Sequence, residues 1–135
     1  MPILRVIAAA VVRIIAITAF YLVFVEAISR SESTDALGAG LLFFLIVVLV
    51  ALVWAAYDGA RRGFVPAAVV WLLTAAGVGV TVTVAYVIGT ETSGAFVDEL
   101  RDGWLFFALL VLVPALPGAG VGGLIHRSRR RTPNA

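Results

Sequence analysis

Cysteine and lysine are absent from this sequence, and His126 is its single histidine. Without cysteine there is no disulfide, thiolate metal site or cysteine nucleophile. One histidine beside a basic tail does not make a histidine-rich metal cluster or a serine–histidine site. Charge is scarce too: 13% of residues are charged, and all ten basic residues are arginine. A soluble domain carries about 25% charged residues. Hydrophobic residues fill the gap, at 62% of the 135, with a mean hydropathy of +1.10. A water-soluble globule of this size would have no polar surface to spare. Soluble enzyme, nucleic-acid module and disordered tail are therefore poor readings, and an integral membrane protein is expected. The net charge of +2 comes mostly from the C-terminal tail and suits an anionic membrane surface rather than nucleic acid.

A helix needs about 20 apolar residues to cross a hydrocarbon core about 30 Å thick. Four runs meet this, at about 3–27, 38–57, 64–89 and 104–125. The expected fold is all-α: one four-helix membrane domain over 1–135, with 126–135 as a basic tail. Arg5 opens the first span, Arg61 and Arg62 lie between the second and third, and Arg127, Arg129, Arg130 and Arg131 follow the fourth. The other two connections carry one arginine each, Arg30 and Arg101, among Glu32, Asp35, Glu91, Asp98, Glu99 and Asp102. Basic loops stay in the cytoplasm, so both termini are expected there, in the plasma membrane. The first span is too long for a signal core and Arg13 interrupts it, so it is expected to be retained. Residues 31–36 and 90–95 read alike, as a tandem repeat of two hairpins would, although short acidic loops also arise by chance.

Arg13 is the oddest residue. Arg5 and Glu26 lie about 31 Å apart at helical rise and bracket the core, which puts Arg13 about 12 Å inside. A charge at that depth marks a function or a buried pair, or else snorkels to the cytoplasmic headgroups. Asp58 is its expected counter-ion, or else a turn residue closing the second helix. Glu26 is either a proton or cation site or an interfacial charge. Pro114, Pro117 and Gly118 predict a kink or break in the fourth span, as at a transporter site or in a structural bend. Gly77, Thr81, Ala85 and Gly89 recur every four positions, with Ala75, Gly79 and Thr83 beside them, and Gly118 and Gly122 form a GxxxG pair. Such stripes favour close helix packing. Arg127, Arg129, Arg130 and Arg131 are candidates for lipid headgroups. Trp54, Trp71 and Trp104 fall where an aromatic belt would place them. The sequence shows no phosphate loop, no paired catalytic carboxylates within the membrane and no metal-ligand spacing, so no enzyme, metal or cofactor is expected.

Arg5 and Arg13, the segment from Val53 to Gly59, Trp71-Leu72-Leu73, Asp98-Glu99-Leu100 and the run from Phe106 to Ala115 resemble the small actinobacterial four-transmembrane drug/metabolite-transporter-like family. The likeness runs over nearly all spans, in apolar sequence. It implies a four-helix fold and a transport role, with no particular substrate. Better-understood four-span relatives, the small multidrug-resistance exporters, are dimers with a membrane-embedded glutamate in the first helix. Here the deep charge is Arg13, and Glu26 stands near the outer end. An anionic, neutral or lipid-like solute suits Arg13 better than a lipophilic cation.

The expected function is a small transporter of an unidentified solute, acting as a homodimer among membrane lipids. An accessory or assembly subunit of a membrane complex is one alternative, and a phage-type pore former another. The topology can be checked by labelling. Cysteine at Ser33 or Ser93 is expected to react with an impermeant reagent from outside intact cells, and cysteine at Ala60 is not. Labelling at Ala60 with none at Ser33 would reverse the orientation.

Overall fold

The structure is a computed structural model that describes residues 2–31, 35–89 and 96–131. Four helices account for nearly all of them: α1 (Pro2–Ser29), α2 (Ala36–Arg62), α3 (Phe64–Gly89) and α4 (Phe96–Arg131). No strand occurs among the described residues. Each helix contains a stretch long and apolar enough to cross a membrane. The fold is an all-α, membrane-type four-helix bundle. Ser33, Ser93, Glu32, Glu91 and most of the two similar acidic segments lie outside the described residues.

The helices outrun the apolar runs. α2 continues through Asp58 to Arg62, and α4 starts at Phe96, ahead of Trp104, and ends at Arg131. The connection expected at 58–63 shrinks to Gly63, whose φ of +87° only glycine adopts without strain. Asp58 is thus a helical residue and does not form the turn. Arg61 and Arg62 occupy the last turn of α2, where the partial negative charge of the helix end favours them. At the other end of α2 the Asp35 carboxylate accepts the Gly38 N–H at 2.8 Å and caps the helix.

α4 packs chiefly against α2 and α3, and α1 lies on α3 with little backbone approach to α2. Small residues make the close approaches possible. Added Cβ atoms on Gly118 and Gly122 would strike the Leu52 and Ala56 carbonyls of α2, and one on Gly59 would strike the Ala119 carbonyl of α4. Gly79 meets Trp104 in the same way, between α3 and α4. In lipid the apolar surfaces gain little by leaving the solvent, so such contact is what holds helices together.

The structure bears on two sequence expectations. The fourth span is not broken: α4 stays helical across Pro114 and Pro117. Each proline deletes one donor, and α2 packs closely on the stretch that follows, at Gly118 and Gly122. The α3 stripe packs against a helix of the same chain. Gly77 is filled by Ile14 of α1, and the Thr81 hydroxyl lies 2.7 Å from that of Thr18. Ala85 is half-buried, and only Gly89, at the helix end, has open space beside it. The three threonines of α3 differ. Thr74 and Thr81 donate to carbonyls of their own helix, and the buried Thr83 hydroxyl has no partner among the described residues.

These contacts give a contrast between two glycines. Gly122→Leu is expected to cost about 1–3 kcal/mol or more by forcing α4 off α2. Gly89→Leu is expected to leave the melting temperature unchanged. Thermal unfolding of both variants in detergent decides the matter, and equal melting would remove the α2–α4 glycine contacts as a source of stability.

Candidate functional site

Arg13 projects from α1 into the bundle. Side chains on a helix tilt towards its N-terminus, so a long arginine there reaches back towards the end of the bundle that carries Arg61 and Arg62. One guanidinium N–H bonds back to the Ala9 carbonyl. The rest of the group meets Asp58 of α2. Arg13 Nη2 lies 2.6 Å from both carboxylate oxygens, and Nε donates to Oδ2 at 3.1 Å. Arg13 is 5% exposed and Asp58 3%.

α3 supplies a third partner. Trp71 is fully buried and donates its indole N–H to Asp58 Oδ2 at 3.0 Å. Trp54 of α2 stands edge-on to Trp71, with ring centroids 6.1 Å apart. The Arg13 guanidinium lies 5.0 Å from the Trp54 ring and 5.8 Å from that of Trp71, so two aromatic faces share its charge. Three helices therefore meet in one closed polar cluster. The helix positions explain it: Trp54 and Asp58 are four apart on α2, on one face, and the α2–α3 connection at Gly63 returns Trp71 to the same level.

Above the pair, towards the α2–α3 turn, a polar cavity of about 480 Å³ is lined by Arg13, Trp54, Tyr57, Asp58, Arg61 and Arg62. Arg61 is held at its rim, donating to the Tyr57 hydroxyl at 2.9 Å with its guanidinium 5.4 Å from the Tyr57 ring. Three arginines against one aspartate leave the lining with two net positive charges. Below the pair, an apolar cleft of about 240 Å³ opens between α1 and α2, lined by Ala16, Ile17, Phe20, Ile46, Val47, Val50 and Trp54.

Of the residues singled out in the sequence, the structure brings together Arg13 and Asp58. Glu26 is elsewhere. It is exposed, pairs with Arg30 one turn on at 2.7 Å, and lies about 20 Å along α1 from Arg13. Pro114, Pro117 and Gly118 do not line the polar cavity. Pro114 and Gly118 are buried, and Gly118 sits against Leu52 and Ala55. Arg127, Arg129, Arg130 and Arg131 are exposed at the end of α4. His126 donates to the Ala60 carbonyl at 3.1 Å and ties that end to α2. Trp54 and Trp71, expected in an interfacial belt, instead surround the buried pair. The signal for this was their spacing to Asp58, four and thirteen residues away, on the two helices that flank one tight turn. Among the described residues no group of three or more potential metal ligands occurs.

Comparison of the chain with family models, curated proteins and solved structures returned no match to any of them.

Removing one charge of a buried pair strands the other, at a cost of about 3–5 kcal/mol. Asp58→Asn is accordingly expected to lower stability by about 3 kcal/mol. The charge-swapped variant, Arg13→Asp with Asp58→Arg, is expected to recover part of that loss. Trp71→Phe, which deletes one donor to the carboxylate, is expected to cost about 1–3 kcal/mol. Chemical or thermal unfolding of the three variants checks the order, and an Asp58→Asn protein as stable as wild type would contradict it.

Proposed function

We propose that this protein is a small membrane transporter whose solute is an organic anion or an anionic amphiphile. The observation that carries the reading is the polar, net positive cavity with the buried Arg13–Asp58 pair as its floor. A charged pair within a membrane bundle marks a solute or ion pathway by default. The family resemblance of the sequence points the same way. In this reading Arg61 and Arg62 attract the anion, and Arg13 shifts from Asp58 to it. Trp54 separates the wet cavity from the apolar cleft. The transporter sits in the plasma membrane with both termini in the cytoplasm, as the arginine distribution favours, and acts as a homodimer, since four helices enclose little space alone.

One observation favours a second reading, a non-transporting accessory subunit. The Arg13–Asp58 pair is hydrogen-bonded throughout, as a purely structural latch would be.

Solute-dependent stabilisation separates the two. A ligand of the folded state raises stability by about 2.7 kcal/mol at a hundred times its dissociation constant. Wild type and the charge-free Arg13→Gln/Asp58→Asn variant are melted with panels of organic carboxylates, organic phosphates and lipophilic cations. The transporter reading expects an anion to raise the melting temperature of wild type and not that of the variant. It also expects that anion to cross proteoliposome membranes only when wild type is present. Stabilisation by no solute, or by cations alone, would overturn it.

A further inference from the structure

The geometry points to a binding site for one anionic diacyl phospholipid on α2, with its headgroup on Arg61 and Arg62 and its acyl chains astride Trp54. This site shares Arg61, Arg62 and Trp54 with the transport reading but does not rest on it, because lipid retention is measured with no solute crossing a membrane.

Three adjoining hollows carry the inference, and Trp54 lines all of them. The first is the polar cavity with Arg61 and Arg62 at its mouth. The second is the apolar cleft between α1 and α2. The third is an apolar groove on the outer face of α2, lined by Leu49, Val50, Val53, Trp54 and Tyr57. The two apolar hollows share Val50 and Trp54, and the outer groove shares Trp54 and Tyr57 with the polar cavity. One charged compartment thus leads into two apolar ones, the form of a headgroup with two chains.

Register along α2 agrees. Val50, Trp54, Tyr57 and Arg61 are spaced four, three and four apart, so they share one helix face. The same face continues three residues back to Val47 in the cleft, and from Val47 to Arg61 the helix rises about 21 Å. Half of the hydrocarbon core plus one headgroup layer is about 20–22 Å, so the stripe spans one leaflet with the charges at headgroup level.

Charge selects the headgroup. Arg13 is already neutralised by Asp58, so it adds no net attraction, and Asp58 adds no repulsion. Arg61 and Arg62 are exposed, and Tyr57 holds Arg61 in place. The acyl chains contribute through packing in the two apolar hollows rather than through transfer out of water, because surrounding lipid is equally apolar. What they fill is the gap in the bundle. α1 has little backbone contact with α2, and below the Arg13–Asp58 pair the cleft separates the two helices until the Phe20–Phe43 stack closes it.

The test uses the full-length protein in detergent, offered equal amounts of phosphatidylglycerol and phosphatidylcholine with identical chains, and native mass spectrometry counts the lipid retained. The expected result is one phosphatidylglycerol per chain in preference to phosphatidylcholine. At roughly fivefold per arginine, Arg61→Ala/Arg62→Ala is expected to reduce that preference about 25-fold. Ala16→Phe, which fills the cleft from an exposed position, is expected to lower retention of both lipids with unchanged melting of the lipid-free protein. Arg127→Ala/Arg130→Ala/Arg131→Ala is expected to retain the preference. Loss of preference in this tail variant but not in the rim variant would assign the lipid to the tail and overturn the site. Equal retention of the two lipids would reduce it to ordinary boundary contact. Stabilisation by free glycerol phosphate equal to that by the whole lipid would make it a small-anion site. A dimer mass without lipid that Ala16→Phe abolishes would give the cleft to a second copy of the chain.

Discussion

A guanidinium placed in hydrocarbon must be neutralised and hydrogen-bonded within the protein, because lipid offers it neither charge nor donors and acceptors. Arg13 meets that demand through Asp58, the Ala9 carbonyl and the faces of two tryptophans. The consequences reach beyond the pair. α1 is pinned to α2 at one level, and Trp71 brings α3 into the same cluster. The tight turn at Gly63 is what lets α2 and α3 present their side chains side by side there. A single apolar substitution in this cluster would leave a charge or a donor stranded, whereas most lipid-facing positions could change freely among apolar residues.

The remaining architecture follows from where backbones can approach. Gly118, Gly122 and Gly59 allow α4 and α2 to lie in near-backbone contact, and Gly79 does the same for α4 and α3. Ile14 fills the space above Gly77, and Thr18 bonds Thr81, so α1 is seated on α3. Nothing equivalent joins α1 to α2. Their seam is closed at one end by the Arg13–Asp58 pair and at the other by the stacked rings of Phe20 and Phe43, whose centroids are 5.6 Å apart. The cleft lies between these two closures, with Ala16, Ile17 and Phe20 of α1 on one wall and Ile46, Val47, Val50 and Trp54 of α2 on the other. An opening of that kind suits a lipid chain.

Much of this was legible in the sequence. Twenty apolar residues in a row leave few structures open to a chain in lipid, and the four runs predict the four helices, with the third matching its helix at 64–89. The need of Arg13 for an acid follows from its depth alone, and Asp58 was the nearest acid on the arginine-rich side. Helix ends were less legible, because α2 and α4 continue into polar sequence where hydropathy falls but helical hydrogen bonding does not. The prolines of α4 left a kink and a break both open, and the helix is continuous. A proline shows that a donor is missing, and whether the helix breaks depends on what clamps it from outside.

Composition, span number and the presence of a buried charge needing a partner were set by the sequence alone, since each follows from the chain's own cost in lipid. Tertiary structure decided which neighbours those residues met. Trp54 and Trp71 could have faced the interface, and Gly77 and Thr81 could have met a second chain. In a medium that gives every apolar face the same solvent, hydrophobicity cannot choose among such faces. Shape complementarity and hydrogen-bond geometry choose instead, and both exist only once the helices are side by side.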